Sequence, residues 1–171
     1  MVTSLERQLW SFNWILQDAL QHSDSKNSSR VLDRMYFLEN SIGPYTFPGE
    51  IAPGNQDCLY ILLDLSINHD NEAFVLGFAM GNDEKARHYH LLLFKFASEF
   101  IYSPKHRFNQ RQLKFFERGF LYGKSLPTKN LHCTEFERFY SNRIGEIRAY
   151  LDIWLEEVED YRQGLIPQFM E

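Results

Sequence analysis

Apolar residues recur along most of the chain at spacings of three and four, which place them on one face of an α-helix. Near the N-terminus this spacing is followed by Leu5, Leu9, Phe12, Leu16 and Leu20. Thr3 and Glu6 stand three residues apart just before this pattern, as the two members of a capping box do. The pattern therefore predicts a helix from Thr3 to about Leu20, with a polar loop after it.

The same spacing predicts further helices over residues 29–40, 55–67, 71–80, 83–102, 109–123 and 134–162. The last one begins at a second capping box, Thr134 with Glu137, and a break is expected near 141–142. A strand over 58–67 stays open as an alternative, because short apolar runs suit both structures. We see no internal repeat. The prediction is an all-α, single-domain bundle of about six to seven helices over residues 1–171.

The predicted helix over 83–102 is apolar nearly all round in its second half, which is typical of a buried helix. Leu92, Phe96 and Phe100 would form one inward seam along it. Between the second and third predicted helices, the segment 43–54 contains three prolines and three glycines. Such a segment cannot form regular structure, so it is either a packed connector or a functional loop.

Composition narrows the class of protein. The chain has 171 residues, 44% of them hydrophobic and 16% aromatic, with a net charge of −5. An acidic chain is not expected to bind DNA. Two cysteines are too few for a disulfide scaffold, and neither a signal peptide nor a membrane span is recognised. A cytoplasmic location, or one at the periphery of a membrane, is expected.

A metal site is one candidate. His69 and Asp70 are adjacent, and Glu84 and His88 are four apart on a predicted helix. These four residues could together hold zinc, although no cofactor is otherwise expected. The alternative interpretation makes Asp70 a helix N-cap and the histidines surface residues. A second group, His132 and Cys133 with Glu135 and Glu137, matches no strong zinc pattern.

A basic stretch over 104–129 is the other candidate. It contains Lys105, Arg107, Arg111, Lys114, Arg118, Lys124 and Lys129, with aromatic residues between them. Such a stretch can bind anionic lipid head groups, a pyrophosphate or RNA. The alternative is that it pairs within the molecule with the acidic last helix.

Two segments resemble the ubiquinone (coenzyme Q) biosynthesis protein four family. Residues 69–78, HDNEAFVLGF, are similar to the family's metal-site helix with its H-D-x-x-H motif. Residues 130–153 look like its C-terminal signature, an acidic-aromatic segment followed by an R-x-x-L-x-I helix. Ala73 stands where the family has the second histidine, and Lys85 where it has a glutamate. The resemblance therefore implies the family's fold without its metal site.

The resemblance further implies an apolar groove for an isoprenoid-quinone lipid and association with a membrane surface. The residues expected to bind the lipid are Phe74, Phe78, Leu92, Phe96, Phe100, Arg111 and Phe120. The function expected is that of a lipid-binding or scaffold protein of coenzyme Q biosynthesis. Two alternatives remain: a metal-assisted enzyme using His69 and Asp70, and a protein-interaction module that docks through the basic stretch.

Overall fold

A computed structural model of the protein describes residues 12–23, 47–102, 104 and 107–165. Its α-helices are α1 (Leu16–His22), α2 (Asn55–Leu62), α3 (His69–Asn82), α4 (His88–Phe96), α5 (Gln110–Ser125), α6 (Ile144–Tyr150) and α7 (Leu155–Gln163). A π-helical turn, Ala97–Ile101, continues α4, and two 3₁₀ turns, Leu131–Cys133 and Phe136–Phe139, precede α6. The only β pairing in these residues is one antiparallel bridge between Ile15 and Arg143. The prediction of an all-α fold is confirmed.

Helices α3 and α5 form the centre of the molecule and cross in direct backbone contact. A Cβ atom at Gly77 or Gly81 of α3 would overlap the carbonyl of Phe116 or Phe120 of α5. The contact is reciprocal, since Gly119 and Gly123 of α5 lie against carbonyls of α3. Residue numbers rise together on both helices at these contacts, so α3 and α5 run parallel.

The four glycines belong to one repeated pattern. Residues 74–81 of α3 read FVLGFAMG and residues 116–123 of α5 read FERGFLYG, both F-x-x-G-F-x-x-G. This shared pattern of eight residues was not recognised from the sequence alone. At each glycine the backbone of the other helix packs in the space that a side chain would occupy. The phenylalanines of each pattern are buried in the core on either side of the crossing.

Helix α4 packs on this pair through Leu91 and Phe94. The ring of Phe94 stacks on that of Phe116 with centroids 3.8 Å apart and almost parallel planes. Phe47, in the irregular segment before α2, meets Phe94 from another side, edge to face. That segment runs without helix from residue 47 to Gly54, as its prolines and glycines predict.

The N-terminal prediction was wrong in the part that the structure describes. Residues 12–15 form a turn and the bridge, and α1 begins only at Leu16. The carbonyls of Phe12 and Trp14 accept the N–H groups of Gly145 and Ile144, at the start of α6. Inside a continuous helix these carbonyls would accept hydrogen bonds from their own helix. Here they cap α6 instead, and α1 begins only after them. Thr3, Glu6 and the predicted helix over 29–40 lie outside the described residues.

Two further helix predictions were too long. Helix α2 ends at Leu62 rather than 67, because Asp64 takes a left-handed conformation with φ of 54°. The predicted helix over 134–162 is interrupted at 140–143, where a break was expected, and again at 151–154, so it is divided into a 3₁₀ turn, α6 and α7. Its capping box, Thr134 with Glu137, does not start an α-helix. Asp152, also left-handed, separates α6 from α7.

The predictions for the two middle helices also change. Helix α3 begins at His69, with Asn68 as its N-cap, which is two residues before the predicted start at residue 71. Helix α4 begins at His88 rather than at 83, which leaves Glu84 in the preceding turn. The second half of the predicted helix over 83–102 is exposed on one side, so the prediction of a buried helix was wrong. In contrast, α5 begins where the helix over 109–123 was predicted to begin, with Asn109 as its N-cap.

Candidate functional site

The first turn of α3 carries the His69–Asp70 pair. Asn68 caps the helix, and its Oδ1 accepts the backbone N–H groups of Asp70 at 3.1 Å and Asn71 at 2.9 Å. His69 Nδ1 lies 3.3 Å from the Glu72 carboxylate, and the Asp70 carboxylate lies 2.8 Å from Arg111 of α5. Asp70 is therefore neither an N-cap nor a free ligand, because Arg111 already neutralises it.

The four predicted zinc ligands are not brought together. His69 lies at one end of α3 and Glu84 lies beyond the other, and a helix of 14 residues is about 21 Å long. Zinc requires its ligand atoms at about 2.0–2.3 Å. Within residues 12–23, 47–102, 104 and 107–165, no group of three or more His, Cys, Asp or Glu side chains could hold a metal.

The second group of possible ligands is also separated. His132 is buried, with Nε2 3.6 Å from the Asp83 carboxylate. Burial lowers the pKa of this imidazole, while Asp83 and Glu50 act against the shift and Lys85 adds to it. Cys133 is exposed, and its Sγ lies 3.4 Å from the Asn130 carbonyl. The Asp83 oxygen that lies near His132 also accepts the Gly49 N–H at 2.9 Å. This hydrogen bond connects the irregular segment before α2 to the His132–Asp83 pair.

The seven residues expected to bind lipid fall into separate environments. Phe74, Phe78 and Phe120 are fully buried in the core around the α3–α5 crossing. Leu92, Phe96 and Phe100 lie on the solvent side of α4 and its π-helical turn. Arg111 is exposed on α5, where it pairs with Asp70. The structure thus separates a core group from a surface group, which were expected to form one lipid site. It also places Leu92, Phe96 and Phe100 outward, so the prediction that they form an inward seam was wrong.

The surface group belongs to a larger apolar surface, here called the α4 outer face. It consists of Tyr89, Leu92, Leu93, Phe96, Phe100 and Ile101, each between 49 and 64% exposed. The rings of Phe96 and Phe100 lie side by side with centroids 5.0 Å apart. The opposite side of the helix, with Leu91, Phe94 and Ala97, packs into the core. Helix α4 is therefore apolar toward the core and apolar toward solvent.

The chain around the α4 outer face is basic although the whole protein is acidic. Residues 84–118 contain eight Lys and Arg against three Glu, a net charge of +5. The remaining residues contain ten Lys and Arg against twenty Asp and Glu, a net charge of −10. Positive charge and exposed apolar surface are thus carried by the same part of the chain.

The basic stretch does not pair with the acidic side chains of the last helix in the described residues. Arg118 reaches α7, but it donates to the carbonyl of Arg162 at 2.6 Å. Lys124 donates to the carbonyl of Ala86, and Lys129 donates to carbonyls at the end of α5. These contacts cap helix ends and turns, so the predicted charge pairing between the two regions was wrong.

A groove of about 620 Å³ lies between the end of α2, the start of α3 and α7. Asn71 and Arg162 line it, and Arg162 donates to Asn71 Oδ1 at 2.9 Å. Neither His69 nor Asp70 lines this groove. The pair therefore lies beside a cavity without facing into it.

Sequence reasoning missed the α4 outer face because an apolar stripe on each side of a helix looks like a buried helix. Comparisons with models of protein families, with curated proteins and with solved structures found no match for this chain. The geometry of its own residues is therefore what assigns a site.

Proposed function

We propose that the protein binds an isoprenoid lipid of the quinone-biosynthesis type at a membrane surface, as a lipid-binding or scaffold protein. The α4 outer face is the observation that carries the proposal. Large exposed apolar surfaces mark sites of interaction with proteins or membranes, and six large apolar side chains here occupy about four helical turns.

The charge around the α4 outer face favours a membrane over a protein as the partner. Anionic head groups attract basic segments, each Lys or Arg near the surface contributing about 1 kcal/mol. The +5 segment that contains α4 fits that attraction, whereas the −10 remainder of the chain would be repelled. A helix lying in the interface places its apolar face about 5–10 Å into the boundary between head groups and acyl chains.

None of the helices in the described residues is both long enough and apolar enough to cross a bilayer.

The resemblance to the coenzyme Q biosynthesis family supports the isoprenoid part of the proposal. In the fold, the second of the two segments that carry it contacts the chain on either side of the first. Asn82, near the end of α3, donates to the Thr128 carbonyl at 2.7 Å and accepts the Leu131 N–H at 2.8 Å. Arg148, in the second segment, donates to the carbonyls of Ile61 and Leu62, shortly before the first.

Vesicle flotation tests the proposal. The native protein should float with vesicles of phosphatidylcholine containing phosphatidylserine, and adding a long-chain ubiquinone should increase the bound fraction. Leu92→Glu should weaken binding at least tenfold, because a buried leucine contributes about 1.5–3 kcal/mol. Leu165→Glu is the matched control, since Leu165 is exposed to a similar degree but lies beyond α7.

Two results would contradict the proposal in different parts. If Leu92→Glu binds the vesicles as well as the native protein, the α4 outer face is not the membrane surface. If ubiquinone leaves the bound fraction unchanged, the membrane part stands and the isoprenoid part fails.

A further inference from the structure

A second groove, here called the ring groove, lies between α6 and α7 on a separate surface of the molecule. Its volume is about 560 Å³, within the range of about 300–1,000 Å³ that is usual for small-molecule sites. Its lining residues are Phe12, Arg148, Ala149, Ile153, Trp154, Leu155, Glu156 and Glu157. None of them belongs to the α4 outer face.

Two exposed aromatic side chains form part of this lining. Phe12 is 64% exposed and Trp154 is 56% exposed, although each adjoins apolar groups of the groove. Large aromatic surfaces gain most from contact with another planar ring, which covers them without demanding many hydrogen bonds. The lining therefore suits a flat aromatic ligand.

Arg148 supplies the polar group of the groove. Its guanidinium is buried and donates from Nε to the Leu62 carbonyl at 2.9 Å and from Nη2 to the Ile61 carbonyl at 2.8 Å. Asp64 lies 3.6 Å from Nη2. The described residues offer no hydrogen-bond partner to the remaining nitrogen, Nη1, which carries two N–H donors. A ligand carbonyl could accept from it.

The charges decide between an anionic and a neutral ligand. The positive charge of Arg148 already faces the Asp64 carboxylate, and Glu156 and Glu157 add two negative charges to the lining. A carboxylate or phosphate would meet an excess of negative charge there, whereas a ketone or quinone oxygen accepts a hydrogen bond without carrying one.

We propose that the ring groove binds a neutral, planar aromatic compound bearing a carbonyl group, with the ring against Trp154 and the carbonyl at Arg148. The proposal goes beyond the membrane function, because it concerns another surface and needs no lipid.

Three ligands of nearly the same shape test the proposal without vesicles. They are 2-acetonaphthone, which has the carbonyl; 2-ethylnaphthalene, which lacks it; and 2-naphthoate, which is anionic. Binding followed by saturation-transfer NMR should be strongest for the ketone. Trp154→Ala should weaken ketone binding about tenfold, the loss expected for one aromatic contact. Tyr150→Ala is the control, since Tyr150 is an exposed aromatic residue of α6 outside the groove.

A second variant tests the charge argument without removing any packing group. Glu156→Gln combined with Glu157→Gln should raise the affinity for 2-naphthoate several-fold relative to the affinity for the ketone. Equal binding of the ketone and 2-ethylnaphthalene, or a native affinity for 2-naphthoate above that for the ketone, would overturn the proposal. So would an unchanged affinity in Trp154→Ala. None of these results depends on whether Leu92→Glu releases the protein from vesicles.

Discussion

The backbone of Gly77 in α3 rests on the carbonyl oxygen of Phe116 in α5, with no room for a side chain between them. The equivalent contact in the opposite direction joins Gly119 of α5 to the carbonyl of Phe74 of α3. Close approach of two helix backbones lets the flanking phenylalanines reach across the pair. Phe74 and Phe78 thereby meet the ring of Tyr122, with centroids 6.4 and 5.6 Å away.

Gly77→Ala should destabilise the protein by about 3 kcal/mol, because the added methyl must push two rigid backbones apart. The opposing gain in helix propensity is only about 1 kcal/mol. Urea denaturation measures the change. Gly145→Ala is the control: the three atoms nearest to its methyl belong to the ring of Phe12, an exposed side chain that can rotate away. Equal losses in the two variants would show that the α3–α5 crossing adjusts freely.

Arg148→Met should cost about 3–5 kcal/mol of unfolding free energy, the range for removing one partner from a buried ion pair. The loss arises because the carbonyls that end α2 lose their donor and the carboxylate of Asp64 loses a neighbouring positive charge. Arg148→Lys should recover only part of it, since one ammonium cannot reproduce the guanidinium geometry. Arg138→Met, at an exposed arginine over the Phe139 ring, should cost less than about 1 kcal/mol. A similarly small loss for Arg148→Met would mean that water replaces the guanidinium.

The buried imidazole of His132 should make stability depend on pH below about 6.5, the usual pKa of histidine. Burial lowers the pKa of His132 in the folded protein, so in this range the unfolded chain binds a proton that the folded protein does not. The free energy of unfolding should therefore fall as the pH falls, by about 1.4 kcal/mol for each unit of pKa difference, until the folded-state pKa is passed.

Urea denaturation between pH 8 and pH 5 would measure this dependence (about 1.5 units on either side of the histidine value). The His132→Gln variant should show a flatter profile than the native protein. His88→Gln, at the exposed start of α4, should keep the native profile. If His132→Gln and the native protein have parallel profiles, His132 is not the group responsible.

The two cysteines should react with a maleimide at very different rates. Cys133 is exposed, whereas Cys58 is buried in α2, and burial raises the pKa of its thiol to about 12, with Asp57 and Glu137 adding to the shift. Because the thiolate is the reactive form, mass spectrometry should find one modified thiol in the native protein and a second only after unfolding. The Cys133→Ser variant should show no fast modification. Fast labelling of that variant would contradict the burial of Cys58.

Helical spacing of apolar residues was sufficient to predict the all-α fold, and local hydrogen-bonding chemistry was sufficient for the cap at Asn109 and the end of α7 at Gly164. These features depend on residues within one or two turns of each other, so the sequence contains them directly. The same is true of the irregular segment before Asn55, where proline and glycine act locally.

The boundaries that failed depend on contacts between distant residues. Residues 12–15 are not helical because their carbonyls accept the N–H groups at the start of α6. The amino acids at 12–15 give no sign of this contact, since its other half lies about 130 residues further along the chain. The end of α2 is capped by Arg148, which is 86 residues away along the chain. Helical periodicity cannot predict either effect, since it shows only which residues share a face of a helix.

The candidate site shows the same division. The sequence by itself determined that the second half of residues 83–102 is apolar nearly all round, that residues 84–118 are basic, and that Ala73 and Lys85 cannot ligate a metal as histidine and glutamate would. Only the tertiary structure decided which apolar side of α4 faces the core, because Phe94 stacks on Phe116 and thereby turns Leu92, Phe96 and Phe100 to the solvent. A helix with two apolar sides can pack through either one, and the choice is made by its partner.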